Sequence, residues 1–147
     1  MAKSADFFVQ TALLQGLLFG SKIVSKQLDD VFSEIDLKKS SFDVLAALYH
    51  AQPDCALTPN ELIELTHVTS GSMTSRIDKL AKKGWVNRVS NKRDKRSVKV
   101  SLTKSGKKVI EEALKTHESA VNSILSCLTE KEQHRLAKLL GKIAKKN

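Results

Sequence analysis

Apolar positions recur at helical intervals near both ends of the chain and follow a mixed pattern between them. Over residues 13–35 they are spaced by three or four positions, which predicts one long helix ending near residues 35–37. Similar stripes run through residues 109–128 and 136–143. Stripes this extensive are rarely left exposed on a monomer, so the terminal helices are predicted to pack against a second copy of the chain.

Residue choice marks the start of three further helices. Thr58 is followed by a proline and, three residues after the cap, by Glu61, which is the pattern of a capping box. Thr129 and Glu132 repeat the box before the last helix. Residues 40–43 are expected to open another helix, whose buried side begins at Phe42.

The middle of the chain predicts two short helices followed by a hairpin. A helix at residues 59–65 is joined by a tight connection to a second helix that begins at Thr69 or Ser70. Gly84 follows two lysines and suits a helix closed by a left-handed glycine. Beyond it the apolar period falls from about 3.6 residues to 2, which predicts strands at residues 85–89 and 98–102.

This order of elements predicts a mainly α (α+β) fold: a winged helix-turn-helix with a two-stranded β-wing, flanked by long N- and C-terminal dimerisation helices. The chain is expected to form one domain over residues 1–147. Its expected parts are a winged-helix lobe at residues 38–102 and dimerisation helices at residues 5–36 and 104–146.

Positive charge is concentrated in one part of the chain. The chain carries a net charge of +9, and residues 69–96 alone carry a net charge of +7, with 9 basic and 2 acidic side chains. Residues 1–68 carry a net charge of −4. A basic patch beside an acidic region suggests a polyanionic partner, although a solvated lysine-rich surface is the competing interpretation.

The second helix of the pair has a face suited to DNA. With Met73, Ile77 and Leu80 towards the core, small hydroxyl side chains, Arg76 and Lys79 are expected on the opposite surface. Small residues let a helix enter the major groove, and an arginine can bond guanine O6 and N7. By itself this face favours an ordinary amphipathic helix over a DNA-reading one, but the basic tip that follows can enter the adjoining minor groove through Arg93 or Arg96.

Several motifs together resemble the MarR family of regulators. They are Thr69-Ser70-Gly71-Ser72-Met73-Thr74-Ser75-Arg76-Ile77-Asp78-Lys79-Leu80, Lys83-Gly84-Trp85-Val86, Asp94-Lys95-Arg96, and Leu102-Thr103 with Gly106. The resemblance covers residues 58–106 in motif detail and the flanking helices in layout. Ser75 and Trp85 depart from it, standing where an asparagine and an aliphatic residue are usual.

The resemblance implies a homodimer whose recognition helices face the major groove, with Arg96 in the minor groove and Asp94 orienting it. The expected DNA-contacting residues are Ser70, Ser72, Thr74, Ser75, Arg76, Lys79, Lys92, Arg93, Asp94, Lys95 and Arg96. The expected function is a repressor of a pseudo-palindromic operator, relieved by a small anionic aromatic ligand whose site the sequence leaves unknown. An architectural DNA-binding protein without sequence preference and a protein-interaction module remain alternatives.

Other classes of function are not expected. Cys55 and Cys127 lie far apart, which excludes a disulfide scaffold and a zinc ribbon. The sequence has no phosphate-binding glycine loop or nucleophile motif, so no cofactor, metal or enzymatic activity is predicted. Residues 7–24 contain Gln10, Gln15 and Lys22, and the segment is interpreted as too polar to span a membrane. The protein is therefore expected to be cytoplasmic.

Overall fold

A computed structural model describes residues 2–90 and 98–145, with side chains from residue 6 onward. Six helices and three strands follow one another along these residues. They are α1 (Ala2–Glu34), α2 (Lys39–His50), β1 (Ala56–Leu57), α3 (Pro59–Thr66), α4 (Ser70–Lys82), β2 (Val86–Ser90), β3 (Val98–Leu102), α5 (Lys104–Leu125) and α6 (Glu130–Ala144). The predicted mainly helical winged helix-turn-helix is confirmed.

The wing contains one strand more than the sequence predicted. β2 and β3 pair antiparallel, with Val86 opposite Leu102 and Ser90 opposite Val98. The additional strand, β1, pairs with the other edge of β3, giving the sheet order β1-β3-β2. The prediction of a two-stranded wing was therefore incomplete. A two-residue strand has too few positions to show an alternating pattern, and it forms because β3 offers it an edge.

Side chains at the helix termini explain where several helices begin and end. At both predicted capping boxes a threonine hydroxyl accepts from the third backbone N–H, and the glutamate there accepts from the threonine backbone N–H. Gly84 closes α4 with φ of +72°, as its position predicted. In contrast, α2 begins at Lys39 after Lys38, and no side-chain cap is made there.

The buried core lies inside the lobe from α2 to β3 and is closed by the ends of two long helices. Its fully buried side chains include Leu45, Leu48 and Leu62. Phe32 near the end of α1 packs against Phe42 of α2, with ring centroids 4.6 Å apart. The first half of α5 adds Ile110 and Ala113. Met73, Ile77 and Leu80 of α4 belong to the same core, so the lobe holds α4 in a fixed position.

Candidate nucleic-acid interface

A short turn sets α4 at the surface of the lobe. His67 ends α3 in the left-handed conformation, and Thr69 caps α4 by accepting the Ser72 backbone N–H at 3.4 Å. Met73, Ile77 and Leu80 are almost completely buried and fix the inner side of α4. Because these three residues lie on one side of the helix, the opposite side is held towards solvent.

The outward side of α4 consists of small and basic residues. Its first turn contains no acidic residue, which leaves the positive end of the helix dipole unopposed. The Thr74 hydroxyl donates to the Ser70 carbonyl at 3.2 Å, so part of its bonding capacity is used within the helix. The predicted contact residues that the structure leaves exposed are Ser70, Ser72, Thr74, Ser75 and Lys79.

Arg76 lies elsewhere than the sequence interpretation placed it. It is half-buried and borders a recess of about 500 Å³ formed with the end of α1 and the start of α2. The recess contains Asp29 and also Asp43, whose carboxylate is paired with Lys39 at 2.9 Å. Placing Arg76 on the surface opposite the core was wrong because the residue follows Met73 by three positions and precedes Leu80 by four, intervals that share one side of a helix.

An ion pair joins α4 to the wing. Arg88 of β2 donates from Nη2 to the Asp78 Oδ1 at 2.7 Å. Arg88 also stands opposite Val100 in the sheet register, so the pair connects the recognition helix to the paired strands. Sequence reasoning missed it because both residues are exposed and lie ten positions apart in different elements.

The tip of the wing falls outside the described residues. The predicted contacts at Lys92, Arg93, Asp94, Lys95 and Arg96 lie there. They remain predictions from the sequence.

The apolar faces of α1 and α6 are exposed in the protomer. Phe8, Leu18 and Phe19 are 76%, 72% and 67% exposed, and α6 adds four exposed apolar side chains, of which Ile143 is 53% exposed. By length and composition α1 is also apolar enough to cross a membrane, so the interpretation of its start as too polar was wrong on that measure. Instead of a membrane, a second copy of the chain can cover the apolar faces of α1 and α6.

Metal-binding and redox groups are sparse in the described part of the chain. Among its residues no cluster of three or more His, Cys, Asp or Glu side chains is placed to hold a metal ion. Cys55 is buried and Cys127 is exposed, and both are free thiols.

An anchored helix of small and basic residues beside a β-wing defines a DNA-binding protein of the winged helix-turn-helix class. Residues 35–97 match the family model described as MarR family. Over 95% of its length the chain is 33% identical to the HTH-type transcriptional regulator PecS of Dickeya dadantii, of which 85% is covered. It is 32% identical to the multiple antibiotic resistance protein MarR of Escherichia coli, over 76% of each chain. The chain belongs to the MarR family of transcriptional regulators.

Solved structures agree with this assignment. A cysteine-to-serine mutant of Escherichia coli MarR complexed with operator DNA is 29% identical and superposes with a TM-score of 0.80, covering 90% of this chain and 93% of that one. The fold is also shared with AbsC of Streptomyces coelicolor, at a TM-score of 0.88, 17% identity and 93% coverage of both chains. Members of the family are DNA-binding regulators and not enzymes, and homodimers are typical of their structures.

Proposed function

We propose that the protein is a homodimeric repressor that binds a pseudo-palindromic operator. The observation that carries this proposal is the two-sided construction of α4. Met73, Ile77 and Leu80 fix its inner side in the core, while its outward side carries hydroxyl groups and Lys79. A helix held in this way can enter a major groove without losing its own packing.

The roles of the contact residues follow from their positions on α4. Ser70, Ser72 and Ser75 supply hydroxyl groups to bases or phosphates, and Lys79 contacts a phosphate. Arg76 reaches a base from the edge of the helix, where it also lies near the acidic recess. In the wing, Arg96 enters the minor groove with Asp94 orienting it.

The two ends of the chain form the dimer in this proposal. Residues 38–102 act as the DNA-binding lobe, and residues 5–36 and 104–146 act as dimerisation helices. Support comes from the exposed apolar faces of α1 and α6, which a second copy would cover. The two-fold symmetry of such a dimer matches the symmetry of a pseudo-palindrome.

A small anionic aromatic ligand relieves repression in this proposal, and the protein acts in the cytoplasm. Relief requires that the ligand bind the non-operator conformation more tightly than the operator-bound one. The residues that bind this ligand are not assigned.

Selection of DNA fragments by the purified protein tests the proposal. Fragments of its own genome are enriched, and fluorescence anisotropy then compares one selected duplex with a scrambled duplex at the same salt concentration. A specific regulator binds the selected duplex about 10³-fold or more tightly. Equal affinities identify an architectural DNA-binding protein, and absence of binding at moderate salt favours a protein-interaction module.

A further inference from the structure

One hydroxyl group joins the end of the recognition helix to the start of α5. The Thr103 Oγ1 donates to the Gly84 carbonyl at 2.7 Å and accepts the Gly106 backbone N–H at 3.0 Å. The Thr103 backbone N–H donates to the Trp85 carbonyl at 3.0 Å. Both bonding functions of the hydroxyl are thereby used. We call these four residues, Gly84, Trp85, Thr103 and Gly106, the Thr103 junction.

Gly106 brings two backbone segments into direct contact at this junction. The residue is buried, and a Cβ atom on it would overlap the Trp85 carbonyl oxygen and lie 2.8 Å from the carbonyl carbon. Atoms cannot approach that closely, so a side chain here would push α5 away from the segment that follows α4. Gly106 is therefore required for close approach of the backbone.

The segment between α4 and the junction has little freedom to adjust. The Gly84 N–H donates to the Ala81 carbonyl at 2.9 Å and the Trp85 N–H donates to the Leu80 carbonyl at 3.0 Å, which closes the end of the helix. Lys83 Nζ lies 4.5 Å from the centre of the Trp85 ring. The orientation of α4 is thus transmitted to Trp85 and from there to α5.

We propose that Thr103 and Gly106 are positioning residues that fix the angle between α4 and α5 and thereby set the spacing of operator half-sites. This inference rests on the proposed function, because α5 is assigned there to the dimer and α4 to DNA. A helix of 13 residues is about 20 Å long. Tilting it by about 10° moves its far end by about 3.5 Å, which is close to the rise of one base pair.

Matched substitutions at residue 103 separate positioning from stability. Thr103→Val keeps the branched shape and removes both hydroxyl hydrogen bonds, whereas Thr103→Ser keeps the hydroxyl. Each protein is titrated by anisotropy against the selected operator, against operators with one base pair added or removed at the centre, and against a single half-site. The wild type is expected to lose at least about tenfold in affinity for each change of spacing.

Thr103→Val is expected to lose less than about threefold between spacings and to bind the single half-site within about twofold of the wild type, while Thr103→Ser restores the wild-type discrimination. A merely structural role would lower all affinities together. If Thr103→Val keeps the wild-type dependence on spacing, the inference is wrong. If Thr103→Val does not fold, Thr103→Asp takes its place, because its carboxylate still accepts the Gly106 backbone N–H but cannot donate to the Gly84 carbonyl, and the same loss of discrimination is expected.

A measurement without DNA distinguishes failure of this inference from failure of the proposed function. Spin labels on Ser75→Cys, in a Cys127→Ser background, report the distance between the two α4 helices of the dimer. Thr103→Val is expected to broaden the distance distribution, and Thr103→Ser is expected to leave it narrow. Equal widths of the distance distribution in Thr103→Val and Thr103→Ser would show that Thr103 does not fix the angle between α4 and α5. If Thr103→Val broadens the distribution but the wild-type protein binds no duplex, the role of Thr103 in fixing the angle stands, and the proposed function and the claim about half-site spacing are wrong.

Discussion

The lobe between α2 and β3 and the first half of α1 both contain several leucines, but they differ in what covers those side chains. In the lobe, Leu45 and Leu48 are completely buried. In α1, Leu14 and Leu18 are 61% and 72% exposed in the protomer. The lobe therefore contains its own core, whereas the start of α1 needs a second surface. Stability of the lobe should be independent of protein concentration, and that of the dimer should depend on it.

The largest expected effect is on the lobe. Leu45→Ala leaves a cavity in a fully buried position and should lower the free energy of unfolding by about 2–5 kcal/mol. Urea denaturation followed by circular dichroism at two protein concentrations measures it. The loss should be equal at both concentrations, and a loss that vanishes at high concentration would show that the lobe core depends on the dimer.

The matched substitution in α1 sharpens the contrast. Leu18→Ala should weaken dimerisation by up to about 3 kcal/mol for each copy, because it removes apolar area that the partner is expected to bury. Sedimentation equilibrium over a range of concentrations measures the change. A dimer of unchanged strength would place the interface elsewhere.

Within the lobe, Arg76 and Lys79, two of the three cations of α4, should behave differently. Arg76→Ala should weaken operator binding by about 1–3 kcal/mol and relax the preference at one position in each half-site. Lys79→Ala is the control, since loss of a phosphate contact should weaken operator and random duplexes equally. Fluorescence anisotropy measures the affinity of each variant for the operator and for the random duplex. If Arg76→Ala loses equal affinity for both duplexes, Arg76 also contacts a phosphate and not a base.

The wing is expected to contribute less than α4. Arg96→Ala should lower the slope of log affinity against log salt by about one. Asp94→Ala removes a negative charge near DNA, so charge alone predicts tighter binding, whereas an orienting role predicts weaker binding. Anisotropy at two salt concentrations separates them, and tighter binding at both would exclude the orienting role.

The smallest effect concerns the two capping boxes, at the start of α3 in the lobe and at the start of α6. The pKa of Glu61 is lowered below its ordinary value of 4.5, mainly by the hydrogen bond from the Thr58 backbone and secondly by the one from the Thr58 side chain. The pKa of Glu132 is lowered in the same way by the backbone and side chain of Thr129. A lowered folded-state pKa means that the stabilisation is present above about pH 4.5 and is lost as pH falls through the folded value. Glu61→Gln should therefore lose less stability than the wild type between pH 6 and pH 3 in urea denaturation. Equal losses would show that the cap does not depend on the charge.

Local signals in the sequence predicted those parts of the fold that local interactions determine. The two capping boxes, the left-handed Gly84 and the buried side of α4 each depend on residues a few positions apart, and all were found as predicted. The strand β1 and the pair between Asp78 and Arg88 depend on elements distant in sequence, which periodicity does not report. The half-buried position of Arg76 was missed because the core side of α4 is wider than the stripe of its apolar residues.

Hydroxyl-radical footprinting of the selected operator tests the central claim, that α4 reads DNA from a dimer built by the terminal helices. The account predicts two protected regions on one face of the duplex, with centres about 10 base pairs apart. Both regions should disappear together when Leu18→Ala is tested at a concentration where it no longer dimerises. One protected region, or continuous protection without half-sites, would contradict the account.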